Sequence, residues 1–349
     1  METKQMSRID RRQGLWMLAG GLVAATALGA RAVARTVSSI STGNTLALVE
    51  KGAGRVAFYA LPGGTRIGAV ELGTQPHEIV TDRTGRYAFV GHYGVESWKA
   101  PGAGGSELWI IDLVRRTLVR TIDLAPFGRL HAVRVDDRGR LYVLSEKDSV
   151  LIRFDDPVRD KAPSRLIPVG GVRSHYLVVR RDGARAYVAD TLSGAVIMID
   201  PDNMEVMPVR KRIGSAPEGM ALSTDERTLY VIDRPSGTIH ALDATTLKER
   251  ARRTMRGEAV RVVTQADGRL IVSNVADKSL SRLDPVTLSE EARLPLGTGA
   301  PGLNLARNTL YVSLEDNHVA IVDLQAWKVT ERFATGAAPD AAVVIEPVE

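Results

Sequence analysis

The chain contains no cysteine among its 349 residues, and only 5% of these residues are aromatic. Without cysteine there is no disulfide, no thiolate metal ligand and no cysteine nucleophile. The sequence also lacks a GxSxG elbow, a phosphate-binding Walker sequence and a dinucleotide fingerprint, so no familiar motif identifies a reaction. Hydrophobic residues make up 44% and charged residues 25% of the chain, which is typical of a globular protein.

A basic start followed by a short apolar stretch predicts that the chain is exported. The Arg11-Arg12 pair precedes an apolar run over residues 15–28. We predict a signal peptide over residues 1–34, which ends in a small-residue cleavage site, and a periplasmic mature protein. The arginine pair favours the twin-arginine route. The ordinary secretory route stays open, because Gly14 stands where that motif usually has a bulky apolar residue.

Cleavage after Ala34 removes most of the net positive charge. Five basic and two acidic residues leave with the signal peptide, so 46 basic and 41 acidic residues become 41 and 39 in the mature chain. This balance does not indicate a nucleic-acid partner. We expect no transmembrane span in the mature protein, because the apolar run is shorter than the ~20 residues that cross a bilayer.

Short strand-like runs repeat along the whole mature chain. The first series begins at residues 45, 86, 140, 185, 228, 269 and 309 and reads TLALVE, RYAFVGH, RLYVLSE, RAYVAD, TLYVID, RLIVSN and TLYVSLE. Two further strands follow each run, and one precedes most of them across a turn such as DRG. Four short antiparallel strands in each unit are the signature of a propeller blade.

These units predict an all-β fold, a seven-bladed β-propeller of four-stranded antiparallel blades over residues 35–349. The first unit starts at Thr45 with only three strands, whereas residues 339–347 supply one inner strand and nothing after it. We therefore expect the C-terminal strand to join the N-terminal blade and close the ring. Because closure removes open sheet edges, we expect a monomer.

The chain resembles the YVTN-repeat propellers of exported bacterial proteins. The resemblance rests on GSAPEGMALSTDERT, on LYVID followed by GTIHALDATTL, and on LYVSLEDNHVAIVDLQAWKV, and it extends over residues 44–349. Relatives of this shape include surface and periplasmic proteins, lactone hydrolases and the haem-binding propellers of nitrite reductases. The resemblance therefore implies the fold and leaves the function open.

Two sets of repeated residues are interpreted as structural. The third strands of six units end in an aspartate that precedes a turn, and we predict that each carboxylate accepts backbone N–H groups of that turn: Asp112, Asp155, Asp200, Asp243, Asp284 and Asp323. Basic runs over residues 209–212 and 247–256 fall on fourth strands at the outer rim. We interpret them as protection of exposed strand edges, with an anionic contact surface as the alternative.

Histidines and acids recur where the innermost strands begin. Alignment on the first turn of each unit places one set at a common position, which we predict binds a cofactor or ligand: His77, His131, His175, Glu218, Glu258 and Asp340. A companion set follows the second strands, about fifteen residues later, and includes His92, Glu146, Asp190 and Asp233. A strand, a turn and an antiparallel return bring both sets to one mouth of the central channel.

Imidazole and carboxylate together are the usual ligands of transition metals, and histidine also binds haem. We predict that a metal would be held by residues of both sets, namely His77, His92, His131, His175, Asp190 and Asp233. The resulting hypothesis is a propeller that binds a divalent transition metal, a haem-type group or a small ligand. The alternatives are a lactonase-like or lyase-like enzyme, a scaffold for a redox or cell-envelope partner, and a merely solvated channel. A Gly-rich insertion over residues 93–106 is expected to form a lid or a partner contact beside this mouth.

Overall fold

A computed structural model describes residues 43–346 of the chain. Its strands, given from the innermost to the outermost of each sheet, are β28 Pro339–Ile345, β1 Thr45–Glu50, β2 Arg55–Ala60 and β3 Thr65–Glu71 in blade 1; β4 Pro76–Thr81, β5 Tyr87–His92, β6 Glu107–Asp112 and β7 Thr117–Asp123 in blade 2; β8 Leu130–Val135, β9 Leu141–Ser145, β10 Val150–Phe154 and β11 Arg165–Pro168 in blade 3; β12 Ser174–Val179, β13 Ala186–Asp190, β14 Ala195–Ile199 and β15 Val209–Arg212 in blade 4; β16 Pro217–Leu222, β17 Thr228–Asp233, β18 Thr238–Asp243 and β19 Glu249–Thr254 in blade 5; β20 Ala259–Thr264, β21 Leu270–Asn274, β22 Ser279–Leu283 and β23 Glu290–Pro295 in blade 6; and β24 Gly302–Ala306, β25 Thr309–Leu314, β26 His318–Asp323 and β27 Lys328–Ala334 in blade 7.

The predicted seven-bladed propeller is confirmed. Each described sheet has four antiparallel strands, and neighbouring strands follow one another along the chain in every sheet except blade 1. There β28 pairs with β1, with Ile345 opposite Thr45 and Val343 opposite Ala47, as expected from the incomplete first unit. The predicted signal peptide, residues 1–34, lies outside the described residues. Within residues 43–346, no helix is long and apolar enough to cross a membrane.

The hydrophobic core lies between the blades. The buried apolar residues of the described chain form clusters that join each blade to the next, and a further cluster joins blade 7 to blade 1. Strands β1, β9, β13 and β21 are buried along their whole length because both faces pack against neighbours. This explains why the first-series runs are almost continuously apolar.

Most of the predicted turn aspartates do accept turn N–H groups. Asp243, for example, accepts bonds of 2.9 and 2.8 Å from Thr245 and Thr246. The equivalent bonds are made by Asp112, Asp200, Asp284 and Asp323. Asp155 differs, because a longer connection follows β10 and its carboxylate pairs with Arg153 at 2.9 Å instead.

Glu50 ties the ends of the ring together. It is the last residue of β1, is fully buried, and accepts a 2.6 Å bond from Arg55 Nε and a 2.6 Å bond from the Gly336 N–H, just before β28. The Tyr59 hydroxyl donates a further hydrogen bond to it. A Cβ at position 336 would collide with this carboxylate, so the contact requires glycine there.

Substitution Glu50→Ala is expected to lower the free energy of unfolding by about 3 kcal/mol, because it leaves buried donors unpaired at the closure. Denaturant unfolding measures this change. Glu71→Ala is the control, since the Glu71 side chain is 71% exposed and only 3.9 Å from the same Arg55. The control should lose less than about 1 kcal/mol. Equal losses in the two variants would contradict a special role for Glu50.

Candidate functional site

The second residues of several innermost strands surround one mouth of the channel. His77, His131, His175 and Glu218 hold this position in β4, β8, β12 and β16, and Asp340 holds it in β28. The strand register is irregular at or beside this position in each of these strands. Such bulges re-aim side chains, which explains how neighbouring residues of one strand both reach the channel.

Glu258 does not share this position, which corrects the alignment made from the sequence. Ala259 pairs with Asn274 as Pro217 pairs with Asp233, so Val260 is the residue that corresponds to Glu218. Glu258 precedes β20 and its side chain pairs with Arg234. The hairpin of blade 6 is one residue shorter than that of blade 5, which the similarity between HAVRV and EAVRV concealed.

The three predicted histidines form one buried cluster. Their exposed fractions are 5% for His77, 0% for His131 and 4% for His175. The ring centroids of His77 and His131 are 4.2 Å apart, and those of His131 and His175 are 3.9 Å apart. The Tyr93 ring packs edge-on against His77 and His131 at 5.1 and 4.9 Å. We call these three imidazoles the histidine cluster.

The electrostatics of the cluster keep its imidazoles neutral. Burial lowers the pKa of His77 well below its usual value, and the positive charge of Lys51 adds to this effect. Burial likewise lowers the pKa of His131, with His175 and His77 as further causes. Nδ1 of His77 and both ring nitrogens of His131 are buried without a hydrogen-bond partner among the described residues. These nitrogens are therefore free to accept a ligand.

Glu146 links the cluster to its surroundings. Oε2 of this fully buried carboxylate lies 2.6 Å from Nδ1 of His175 and accepts a 2.8 Å bond from the Tyr93 hydroxyl. Oε1 accepts bonds from Arg129 at 3.0 Å and Arg173 at 3.3 Å. Burial opposes the charge, but bonds from His175, Tyr93 and Arg129 outweigh it and lower the pKa of Glu146. An ionised carboxylate only accepts hydrogen bonds, so His175 carries its proton on Nδ1 and exposes the Nε2 lone pair.

Two companion carboxylates that were predicted as metal ligands bind the backbone instead. Asp190 accepts a 2.5 Å bond from the Val172 N–H, and Asp233 accepts bonds of 2.9 and 2.8 Å from the N–H groups of Ser215 and Ala216. In each case the bonded segment leads into the innermost strand of the same blade. Glu50 serves the same purpose in blade 1. These contacts give the carboxylates a structural function at the strand ends.

His92 also lies apart from the histidine cluster. Its ring packs against Trp109 with centroids 4.6 Å apart, and its Nδ1 is 3.4 Å from Glu107. It ends β5, where the companion position lies one step out from the channel axis. The structure thus brings together His77, His131 and His175, with Glu146, and leaves His92, Asp190 and Asp233 outside.

Paired charges fill the channel beneath the cluster. Arg134 bonds Glu78 at 2.9 Å, and the Tyr176 ring lies 5.1 Å from both the Arg134 and the Arg261 guanidinium. Arg261 in turn lies 3.4 Å from Glu218. Burial opposes ionisation of Glu218, yet His175 and the neighbouring arginines outweigh it and lower the Glu218 pKa. The channel is therefore plugged below the cluster, and ligands reach the site from the mouth.

A small polar cavity adjoins the cluster at the mouth. Its volume is about 150 Å³, and its lining includes His77, His175, Glu218, Asp340, Lys51 and Arg261. Nδ1 of His77 is 3.3 Å from the Asp340 carboxyl, and burial raises the pKa of Asp340 to about 6. Burial also lowers the pKa of Lys51. Sequence reasoning missed Lys51 and Arg261 because neither belongs to a repeated position.

The insertion over residues 93–106 forms a lid over this cavity, and Glu96, Ser97 and Trp98 line it. The buried guanidinium of Arg129 holds the lid. It donates to the carbonyl of Trp98 at 3.2 Å, and others of its bonds go to Ala100 at 2.5 Å and Gly102 at 2.9 Å. Because Arg129 also bonds Glu146, lid and histidine cluster share one network of hydrogen bonds.

Comparisons with known proteins support the propeller and do not name an activity. The sequence model of a family described as outer membrane protein assembly factor BamB matches residues 209–342. No curated protein matches the chain. A chain of the mitotic checkpoint complex is similar with a TM-score of 0.66 and 14% identity, over 86% of this chain and 98% of that one. The periplasmic gluconolactonase of Pseudomonas aeruginosa is similar with a TM-score of 0.69 and 15% identity, over 87% of this chain and 99% of that one.

Substitution Arg129→Ala is expected to release the lid, because three of its carbonyl groups lose their shared donor. Trypsin cuts after lysine, and Lys99 lies exposed in the lid. We expect cleavage after Lys99 to become at least about tenfold faster than in the unmodified protein, followed by mass spectrometry. Arg159→Ala, which changes an arginine with an 87% exposed side chain, is the control. Unchanged cleavage in Arg129→Ala would show that other contacts hold the lid.

Proposed function

We propose that this protein is an exported propeller of the YVTN-repeat type that binds a divalent transition-metal ion in the histidine cluster. The basic start, the apolar run and the small-residue site of residues 1–34 support export to the periplasm. The repeated LYV strands support the family. The metal site is supported by the cluster itself, and the following paragraphs take up that support.

The unpartnered imidazole nitrogens carry the metal proposal. A buried polar atom without a hydrogen bond costs roughly 1–3 kcal/mol, so native proteins rarely leave one unused. Here three such nitrogens lie on two stacked histidines, His77 and His131. Donor atoms of His131, His175 and Glu146 also lie within 4.8 Å of one another, which is compatible with a shared ion. A chain without cysteine has only such nitrogens and carboxylates to offer a transition metal.

Each residue has a distinct task in this proposal. His77 and His131 coordinate through their free nitrogens, and His175 coordinates through Nε2. Glu146 holds Nδ1 of His175, which is the carboxylate–histidine arrangement that orients metal ligands and raises their basicity. When bound, the ion supplies a Lewis acid beside the cavity. A haem-type group fits poorly, because the cavity of about 150 Å³ is smaller than the roughly 300 Å³ at which drug-sized ligand pockets begin.

The metal-free protein is expected to bind one equivalent of Co²⁺ or Zn²⁺ near neutral pH. Titration with Co²⁺, followed by its visible absorption and by native mass spectrometry, measures this. His131→Ala should weaken binding by about 100-fold or more, and Glu146→Gln by roughly tenfold, because outer partners matter less than ligands.

His318→Ala is the matched control, since His318 is half-exposed on β26 and lies outside the cluster. It should bind as the unmodified protein does. The absence of stoichiometric binding, or equal binding by His131→Ala, would refute the metal site.

Lactone hydrolysis is a second candidate for the same site. It is favoured by the small cavity beside Nε2 of His175, and the fold shared with a gluconolactonase is compatible with it. In this reaction water adds to the lactone carbonyl carbon, the ring C–O bond breaks, and the proton passes to the released hydroxyl group. His175, held by Glu146, is placed to take the proton from the attacking water.

Hydrolysis of D-glucono-1,5-lactone and other small lactones, followed by proton release, tests this candidate. His175→Ala should lower the enzymatic rate by about 100-fold or more, and His318→Ala should not change it. If no lactone is hydrolysed above the spontaneous rate while Co²⁺ still binds, the enzyme candidate fails and the metal proposal stands.

A further inference from the structure

The segment between β14 and β15 is clamped onto the neighbouring blade 3. Residues 201–208 replace the short aspartate turn that connects the same strands in other blades. The Asp202 carboxylate receives bonds of 2.7 Å from Arg140 and 2.6 Å from Arg153, and its backbone carbonyl receives a 2.7 Å bond from Arg165. All three arginines belong to blade 3, so the segment is held in place from the adjacent sheet.

The clamp creates an apolar groove at the outer rim of the propeller. The groove has a volume of about 490 Å³ and runs between β11 and the clamped segment, lined by Leu166, Ile167, Pro168, Met204, Val206 and Pro208. Leu166 is 44% exposed, Met204 56% and Val206 47%. Contiguous exposed apolar side chains of this kind are uncommon on a soluble surface unless they bind something.

A row of unpaired bases flanks the groove. Arg210, Lys211 and Arg212 form most of β15, and all are exposed. Among the residues that the structure describes, none of the three has a carboxylate within ion-pair distance. The other basic fourth strand differs, because on β19 Arg250 pairs with Asp243 at 2.5 Å and Arg252 lies 3.8 Å from Glu249.

We propose that this groove docks an extended segment of another protein in which acidic residues stand next to medium-sized apolar side chains. The apolar side chains would enter the groove beside Met204 and Val206, and the acidic ones would pair with the bases of β15. As the fourth strand of its blade, β15 also presents an unpaired backbone edge to which an extended segment adds readily. The pairing of an apolar groove with unpaired bases selects this partner by charge and shape.

The concave shape separates this proposal from membrane binding. A bilayer takes up apolar side chains that project from a convex surface, whereas these side chains line a groove between two blades. The basic run over residues 209–212 therefore does more than protect a strand edge. The proposal does not depend on the histidine cluster, which lies at the channel mouth.

The test uses a fluorescein-labelled peptide of alternating aspartate and valine, about ten residues long, as strand additions require. Its fluorescence anisotropy is titrated with the purified protein. We expect saturable binding that weakens about tenfold or more in the variant Arg210→Ser, Lys211→Ser, Arg212→Ser, and also in Met204→Ser, Val206→Ser. A peptide with lysine in place of aspartate, and one with serine in place of valine, should bind much more weakly.

The matched control is Arg250→Ser, Arg252→Ser, Arg253→Ser on β19, an equally basic edge without such a groove. It should leave peptide binding unchanged. Equal losses in both triple variants would show unspecific charge attraction and overturn the proposal. So would binding to vesicles of phosphatidylglycerol that the groove variants abolish, self-association through the groove in light scattering, or no binding of the aspartate–valine peptide.

Discussion

The pairing of β28 with β1 is the interaction on which the rest of the structure depends. Until the C-terminal strand joins blade 1, the chain has two open ends and its seventh inter-blade cluster cannot form. The fully buried carboxylate of Glu50 stabilises this joint by bonding the segment that leads into β28. Closure also fixes the distances across the channel, so that side chains from strands far apart in sequence become neighbours.

The candidate site is a product of that geometry. His77, His131 and His175 come from three consecutive blades, each at the start of an innermost strand, and only the closed ring stacks their rings about 4 Å apart. Glu146 then connects the stack to Arg129 and through it to the lid. One buried acid thus sets the proton position on His175 and anchors the arginine that positions the lid.

The sequence allowed the fold to be predicted almost completely, because each blade repeats the same apolar strands and turns. It also located the histidine cluster, since three histidines recur at one position of the repeat. It failed where one hairpin is a residue shorter, which shifted the alignment by two places and brought in Glu258 instead of Val260. It also could not separate Glu146 from Asp190 and Asp233, because repeat position does not reveal whether a carboxylate meets side chains or backbone N–H groups. Lys51 and Arg261 reach the cavity only through folding.

Crystallographic anomalous scattering from the protein loaded with Co²⁺ tests the central claim most directly. The account predicts a single strong anomalous peak in the histidine cluster, about 2.0–2.2 Å from nitrogen atoms of His131 and His175, with Glu146 still bonded to Nδ1 of His175. A structure of the same loaded crystals without a peak among these imidazoles, or with the ion at a surface site only, would contradict it.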